Sequence, residues 1–103
     1  MAAFILSSYA DEDLESIYIY TVKNHGLDKL DVYADQIDRA FDGIAQDPMR
    51  SGSKARDDLF DRCRFYRVQH PYLVYRVKSG RVEIGRVLHE AMNFEDHISE
   101  PVF

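Results

Sequence analysis

Arg67, Arg86 and His89 are the residues of this chain whose types suit chemistry on a phosphate. Two guanidinium forks that never lose their charge would neutralise phosphate oxygens. An imidazole that titrates near neutral pH would give or take the proton. Such a set fits cleavage of an RNA phosphodiester: the ribose 2′-hydroxyl is activated, the added charge of the transition state is held, and the leaving oxygen is protonated. The constellation is incomplete. No lysines cluster near the two arginines, and Glu90, directly after His89, sets a carboxylate where a phosphate would approach. His89 also has a plainer reading, as a strand-end histidine held by a carbonyl or a carboxylate.

The arginines fit binding at least as well. Net charge is −5, but it is unevenly spread: residues 1–61 hold thirteen acids and six bases, whereas residues 62–89 hold seven bases and Glu83 alone. This basic element, which includes Arg64, Arg67, Arg76 and Arg86, suits an anionic partner, either nucleic acid or an acidic protein segment. The alternative is a ladder of ion pairs to Glu83, to the C-terminal acids and to the acidic first half. Sequence-specific DNA recognition fits poorly, because both predicted helices carry acids on their exposed faces and none offers a basic recognition surface.

Other chemistries are excluded more simply. A lone cysteine, Cys63, forms no internal disulfide and reads as a small core residue, and no close pair of cysteines or histidines has metal-ligand spacing. There is no glycine-rich phosphate loop, so neither a metal nor a cofactor is expected. The apolar start Met1–Leu6 lacks a basic flank, and no apolar run reaches the roughly 18 residues that would span a membrane, so a cytoplasmic protein is expected.

The elements that must position these side chains follow from periodicity. Ala3–Ser7 is a short apolar run of strand length, expected to pair within a buried sheet. Ser8 is the predicted N-cap of a helix reaching about Asn24, with Asp11, Glu12 and Asp13 at its positive end. Leu14, Ile17, Tyr18 and Thr21 form its apolar stripe, and Gly26 stops it. A second helix from about Asp28 to Gln46 repeats the three-and-four spacing through Leu30, Tyr33, Ala34, Ile37, Ala40, Phe41 and Ile44, and Asp47-Pro48 ends it.

Ala55–Phe60 reads as a brief helical turn. Three β-rich runs follow, Cys63–Gln69, Tyr72–Val77 and Arg81–Leu88, the last two joined by a hairpin at Lys78-Ser79-Gly80. Most of the aromatic residues, including Tyr18, Tyr20, Phe41, Phe65, Tyr66, Tyr72 and Tyr75, are expected in the core. The order implies one α+β domain over residues 1–103: an N-terminal strand, an antiparallel helical hairpin, then a three-stranded antiparallel meander completing one sheet. Arg67, Arg76 and Arg86 alternate with apolar residues on its strands, so several can share the face opposite the helices or its margin. Replacing Arg67 and Arg86 by alanine is accordingly expected to leave the fold intact.

With these elements in place the chain resembles the ParE toxins of the RelE/ParE superfamily. The resemblance rests on Leu6-Ser7, Ala10, Asp13-Leu14, Ile17 and Tyr20-Thr21, then Gly26, the helix containing Tyr33 and Asp47-Pro48. It continues through Arg64, Tyr66-Arg67-Val68, Tyr75-Arg76-Val77 and Ile84, Arg86-Val87-Leu88-His89 and Met92, spanning roughly residues 4–92. It implies a RelE/ParE-like fold and a type II toxin–antitoxin module, in which an antitoxin lays an acidic, amphipathic segment over the toxin. The complex would be a hetero-oligomer, with a toxin dimer as one arrangement. The ParE branch implies DNA gyrase as target, acted on by binding; the RelE branch implies ribosome-dependent messenger RNA cleavage. The Glu90-Ala91-Met92 sequence lacks the tyrosine that several nuclease members carry after this point. On the ParE reading, Arg64, Arg67, Arg76, Arg86, His89, Met92 and Phe94 are the antitoxin- or target-binding residues. A third reading is a non-toxic module that only binds its antitoxin.

Overall fold

The computed structural model describes residues 4–68 and 71–89. Its elements are β1 (Phe4–Leu6), α1 (Ser8–His25), α2 (Leu27–Gln46), β2 (Lys54–Ala55), β3 (Arg64–Arg67), β4 (Pro71–Lys78) and β5 (Arg81–His89). The five strands form one sheet in the order β1-β5-β4-β3-β2. β1 runs parallel to β5 and the other pairs are antiparallel, so the α+β arrangement and the closing meander appear as the sequence predicts.

β1 is not inside the sheet. It lies at an edge with β5 as its neighbour, so Ile5 is 41% exposed while Phe4 and Leu6 turn to the core. The N-cap is Ser7 rather than Ser8, because Ser7 is held from two sides. Its N–H donates to the Ile84 carbonyl at 2.9 Å and its hydroxyl to the Gly85 carbonyl at 2.6 Å. The same oxygen accepts the Ala10 N–H at 3.0 Å, so one residue ends the strand and starts the helix.

Gly26 serves both helices. Its N–H bonds the Val22 carbonyl at 3.1 Å, and its own carbonyl accepts Leu30 N–H at 3.2 Å, so α2 starts at Leu27, earlier than expected. With φ +85° and ψ 172° it sits in a region that residues with a Cβ scarcely enter. The helical hairpin buries Ala10, Leu14 and Thr21 of α1 and Ile37, Ala40, Phe41 and Ile44 of α2 against Leu73, Tyr75, Val82, Ile84 and Val87 of the sheet. Tyr20, expected in the core, is 59% exposed, because it lies off the α1 stripe.

Two irregularities position the last strand. At Ser79 and Gly80 both φ angles are positive, 54° and 75°, which makes the β4–β5 connection a type I′ turn whose twist matches the strands. Farther along, Val74 pairs with Arg86 but Tyr75 pairs with Ile84, so Gly85 is bulged out. The bulge shifts the alternation by one residue, and Ile84 and Val87 therefore face the same helical core despite their odd spacing.

The segment expected to be a helical turn at Ala55–Phe60 instead holds β2 and a closed loop. The Arg56 N–H bonds the Cys63 carbonyl at 2.8 Å, and Arg62, with φ +63°, donates its N–H to Asp57 Oδ1 at 3.1 Å. This loop lowers Leu59 and Phe60 onto Cys63, Val74 and Leu88, a second small core on the other side of the sheet.

Because a Cβ at Gly26 would meet nothing within 4 Å, its requirement is conformational alone. Gly26→Ala is expected to destabilise the fold by about 1–3 kcal/mol in urea denaturation. D-alanine at the same position, placed by chemical ligation, is expected to recover most of that loss; an equal loss from both enantiomers would refute the assignment.

Candidate functional site

Pairing register places the arginines. Arg67 stands opposite Tyr72, Arg86 opposite Val74, and Arg76 opposite Glu83. Tyr72, Val74 and Arg76 alternate on β4, so the three arginines share the sheet face away from the helical hairpin. Arg64 stands opposite Tyr75 and belongs to the helical side. There its Nε donates to Ser53 Oγ at 2.8 Å and an Nη to the Ser53 carbonyl at 3.2 Å. The buried Tyr75 hydroxyl meets Ser53 Oγ and donates to the Pro48 carbonyl at 2.6 Å, so Arg64 helps to tether the loop that follows α2.

On the shared face the guanidinium groups have internal partners. Arg76 Nε contacts Glu83 Oε1 at 2.7 Å across the β4–β5 pair. Arg67 lies 5.8 Å from the centroid of the Tyr72 ring, which in turn meets Phe65 edge-on at 5.6 Å. Arg86 is the most enclosed. Its Nε and Nη2 reach both oxygens of Asp13 at 2.7 and 2.9 Å, with only 17% and 15% of the two side chains exposed. The hydrogen bond to Asp13 raises the Arg86 pKa still further. Tyr9, one turn before Asp13, places its ring 6.0 Å from the same guanidinium.

Asp13 has a third bond: Oδ2 accepts the Val87 main-chain N–H at 3.0 Å. Asp13 was expected only as negative charge near the start of α1, and nothing in its local sequence pairs it with a residue 73 positions away. One expectation is corrected by this contact: Arg86 ties α1 to β5 and so contributes to the fold. The acidic first half also returns, through Asp13, to pair with part of the basic second half, which is the ion-pair alternative to a free basic surface.

His89 closes β5, with its backbone in register with Pro71. Met92, Phe94 and the Asn93–Ile98 turn lie outside the described residues. Among the described residues no group of histidine, cysteine and acidic side chains is arranged to hold a metal ion, and no helix is long and apolar enough to cross a membrane. Cys63 is buried, and burial pushes its thiol up to about 12, which keeps it protonated at neutral pH and unfit as a nucleophile.

Comparison with known proteins gives this architecture its class. The chain superposes on a chain of the chromosomal ParDE toxin–antitoxin system from P. aeruginosa with a TM-score of 0.72 and 20% identity, over 86% of this chain and 96% of that one. The YoeB–YefM complex from Staphylococcus aureus gives 0.58 and 18%, over 86% and 97%. The fold is thus the RelE/ParE-like fold. In sequence the chain is 29% identical to Toxin ParE1 of Caulobacter vibrioides over 95% of this chain and 99% of that protein. It is 30% identical to Toxin ParE1 of Mycobacterium tuberculosis over 92% and 96%. The pattern of the ParE toxins of type II toxin–antitoxin systems, parDE, matches residues 4–94, and the chain belongs to that family.

Removing Arg86 leaves the Asp13 carboxylate with one main-chain partner in a mostly enclosed position. Arg86→Ala is therefore expected to lower the unfolding free energy by about 2 kcal/mol, against less than about 1 kcal/mol for the exposed Arg67→Ala. Equal effects in chemical denaturation would show that the pair does not join α1 to β5. Cys63 is expected to resist thiol-reactive reagents at pH 8 in the native state and to react fully in denaturant. The sign for stability follows from the raised native value: this contribution is complete below the ordinary thiol range and declines as pH climbs toward 12. Rapid native alkylation would contradict the burial.

Proposed function

We propose that this ParE-family toxin acts by binding rather than by cutting RNA, that DNA gyrase is its target, and that a cognate antitoxin neutralises it by covering part of its surface. The observation that carries the reading is the Arg86–Asp13 pair. A guanidinium that bonds both oxygens of an internal carboxylate is not poised to receive a phosphate, since the anion would have to displace a partner already held by two short charge-assisted bonds. Arg76 is also engaged by a carboxylate, its Nε donating to Glu83 Oε1 at 2.7 Å. Catalysis by preorganised charge needs donors aimed at the developing oxyanion, and these two point at carboxylates.

Family membership supports gyrase over the ribosome, since the matched family is ParE and the fold neighbour with the higher TM-score of the two compared is a ParDE chain. The antitoxin is supported by the settings of the neighbours: one is a ParDE toxin–antitoxin system and another a heterotetrameric YoeB–YefM toxin–antitoxin complex. Hetero-oligomeric assembly is proposed for this chain on that basis. Its place of action would be the cytoplasm, where gyrase meets DNA. Fold alone does not separate gyrase binding from message cleavage, because both branches share it.

The test is a pair of assays with purified protein. Added toxin is expected to inhibit gyrase supercoiling and to accumulate gyrase–DNA cleavage products, while ribosome-programmed messenger RNA stays intact. Cut message with gyrase unaffected would overturn the proposal and make Arg67, Arg86 and His89 a catalytic set. No effect in either assay and no growth defect on expression would leave a module that only binds its antitoxin.

A further inference from the structure

We propose that Asp13 and Glu83 are specificity-determining residues: each fills, from within the molecule, an arginine position that would otherwise receive the phosphate of a nucleic acid. The inference rests on the reading above, that the toxin binds a protein target and does not cut RNA. What it adds is an account of which side chains keep RNA off the basic strands.

Arg86 Nε, Arg86 Nη2 and the Val87 N–H converge on one carboxylate at 2.7, 2.9 and 3.0 Å. A guanidinium fork joined by a main-chain N–H is the donor set that oxyanions of carboxylate or phosphate type select. The cradle is therefore an anion site, and its occupant is part of the chain. Tyr9 stands over the same guanidinium. Glu83 likewise sets a carboxylate on Arg76, through one bond from Nε to Oε1 at 2.7 Å on the same face of the sheet.

Charge counted along the sequence misses this. Residues 62–89 look strongly basic, and single-stranded RNA binds such a surface largely by releasing counterions from neutralised phosphates. In space, one carboxylate arrives from α1 and another from β5 itself, and they meet Arg86 and Arg76. The same contacts leave protein recognition possible, since it depends on shape and apolar area more than on net positive charge.

Asparagine at position 13 keeps an oxygen for the Val87 N–H and removes the charge; glutamine at position 83 does the same for Arg76. Asp13→Asn, Glu83→Gln and the double variant would be compared with the wild type by fluorescence anisotropy on a labelled single-stranded RNA across a salt series, with thermal unfolding as the check on folding. The wild type is expected to bind weakly. Each folded single variant is expected to bind about tenfold more tightly at low salt, and the double variant to steepen the dependence of log affinity on log salt by roughly 0.7 per phosphate gained. A parallel titration with inorganic phosphate should shift the Arg86 Nε–H resonance in Asp13→Asn and not in the wild type.

Folded variants that bind RNA no better than the wild type would overturn the inference. Should Asp13→Asn not fold, Glu83→Gln, on the opposite side of the hairpin from α1, decides alone. Tight RNA binding with message cleavage by the wild type would instead refute the binding-toxin reading itself, so the two failures are told apart.

Discussion

Past Ile84, the outer edge of β5 must satisfy its main-chain polar groups without the strand that flanks it earlier, since β1 stops at Leu6. Buried polar groups without partners cost about 1–3 kcal/mol each, so an edge that runs into the core cannot be left open. Two side chains of α1 and its cap answer the demand in sequence. Ser7 gives its N–H to Ile84 and its hydroxyl to the Gly85 carbonyl, and Asp13, a turn and a half into the helix, accepts the Val87 N–H. The helix thus takes over the edge where the strand leaves it. This fixes the direction of α1 and brings Tyr9 and Asp13 beside Arg86.

The bulge at Gly85 belongs to the same arrangement. A regular ladder would place residues 82, 84 and 86 on the helical side, which would drive Arg86 into the core and turn Val87 away from it. One extra residue reverses the phase after Ile84: Val87 packs under the helices and Arg86 stands on the far face, with its guanidinium on Asp13. The far face is itself half covered, because the Arg56–Cys63 loop sets Leu59 and Phe60 over Val74 and Leu88. That explains why Leu73, Val74 and Tyr75 are all fully buried although successive strand residues face opposite sides.

Much of this was legible in the residues. The α2 stripe from Leu30 to Ile44, the stop at Asp47-Pro48 and the hairpin at Ser79-Gly80 rest on local signals, and each appears where those signals put it. Arg67 and Arg76 share a face by plain alternation, whereas Arg86 joins them only through the bulge at Gly85, which the alternation of the sequence does not announce. What failed to show was non-local. Ser8 reads as the N-cap from its local sequence, and it is the distant Gly85 carbonyl, bonded by the Ser7 hydroxyl, that fixes Ser7 in that role. Ala55–Phe60 has weak propensity of any kind, and its loop is set by tertiary contacts to Val74 and Leu88. Arg64 reads like its neighbours and differs only because the pairing register turns it toward Ser53. The Asp13–Arg86 contact joins residues whose local patterns carry no reference to each other.

Family and fold therefore constrain this protein at different depths. A scaffold shared with both a ParDE and a YoeB–YefM chain sets where the helical hairpin and the last strands lie, and it leaves the chemistry of the exposed face open. Arg86 illustrates the difference. Its position on the last strand comes with the sheet, but its partner comes from one side chain on α1, held in place by the Ser7 cap and by the Val87 N–H. An arginine census of the strands consequently overstates how basic the surface is.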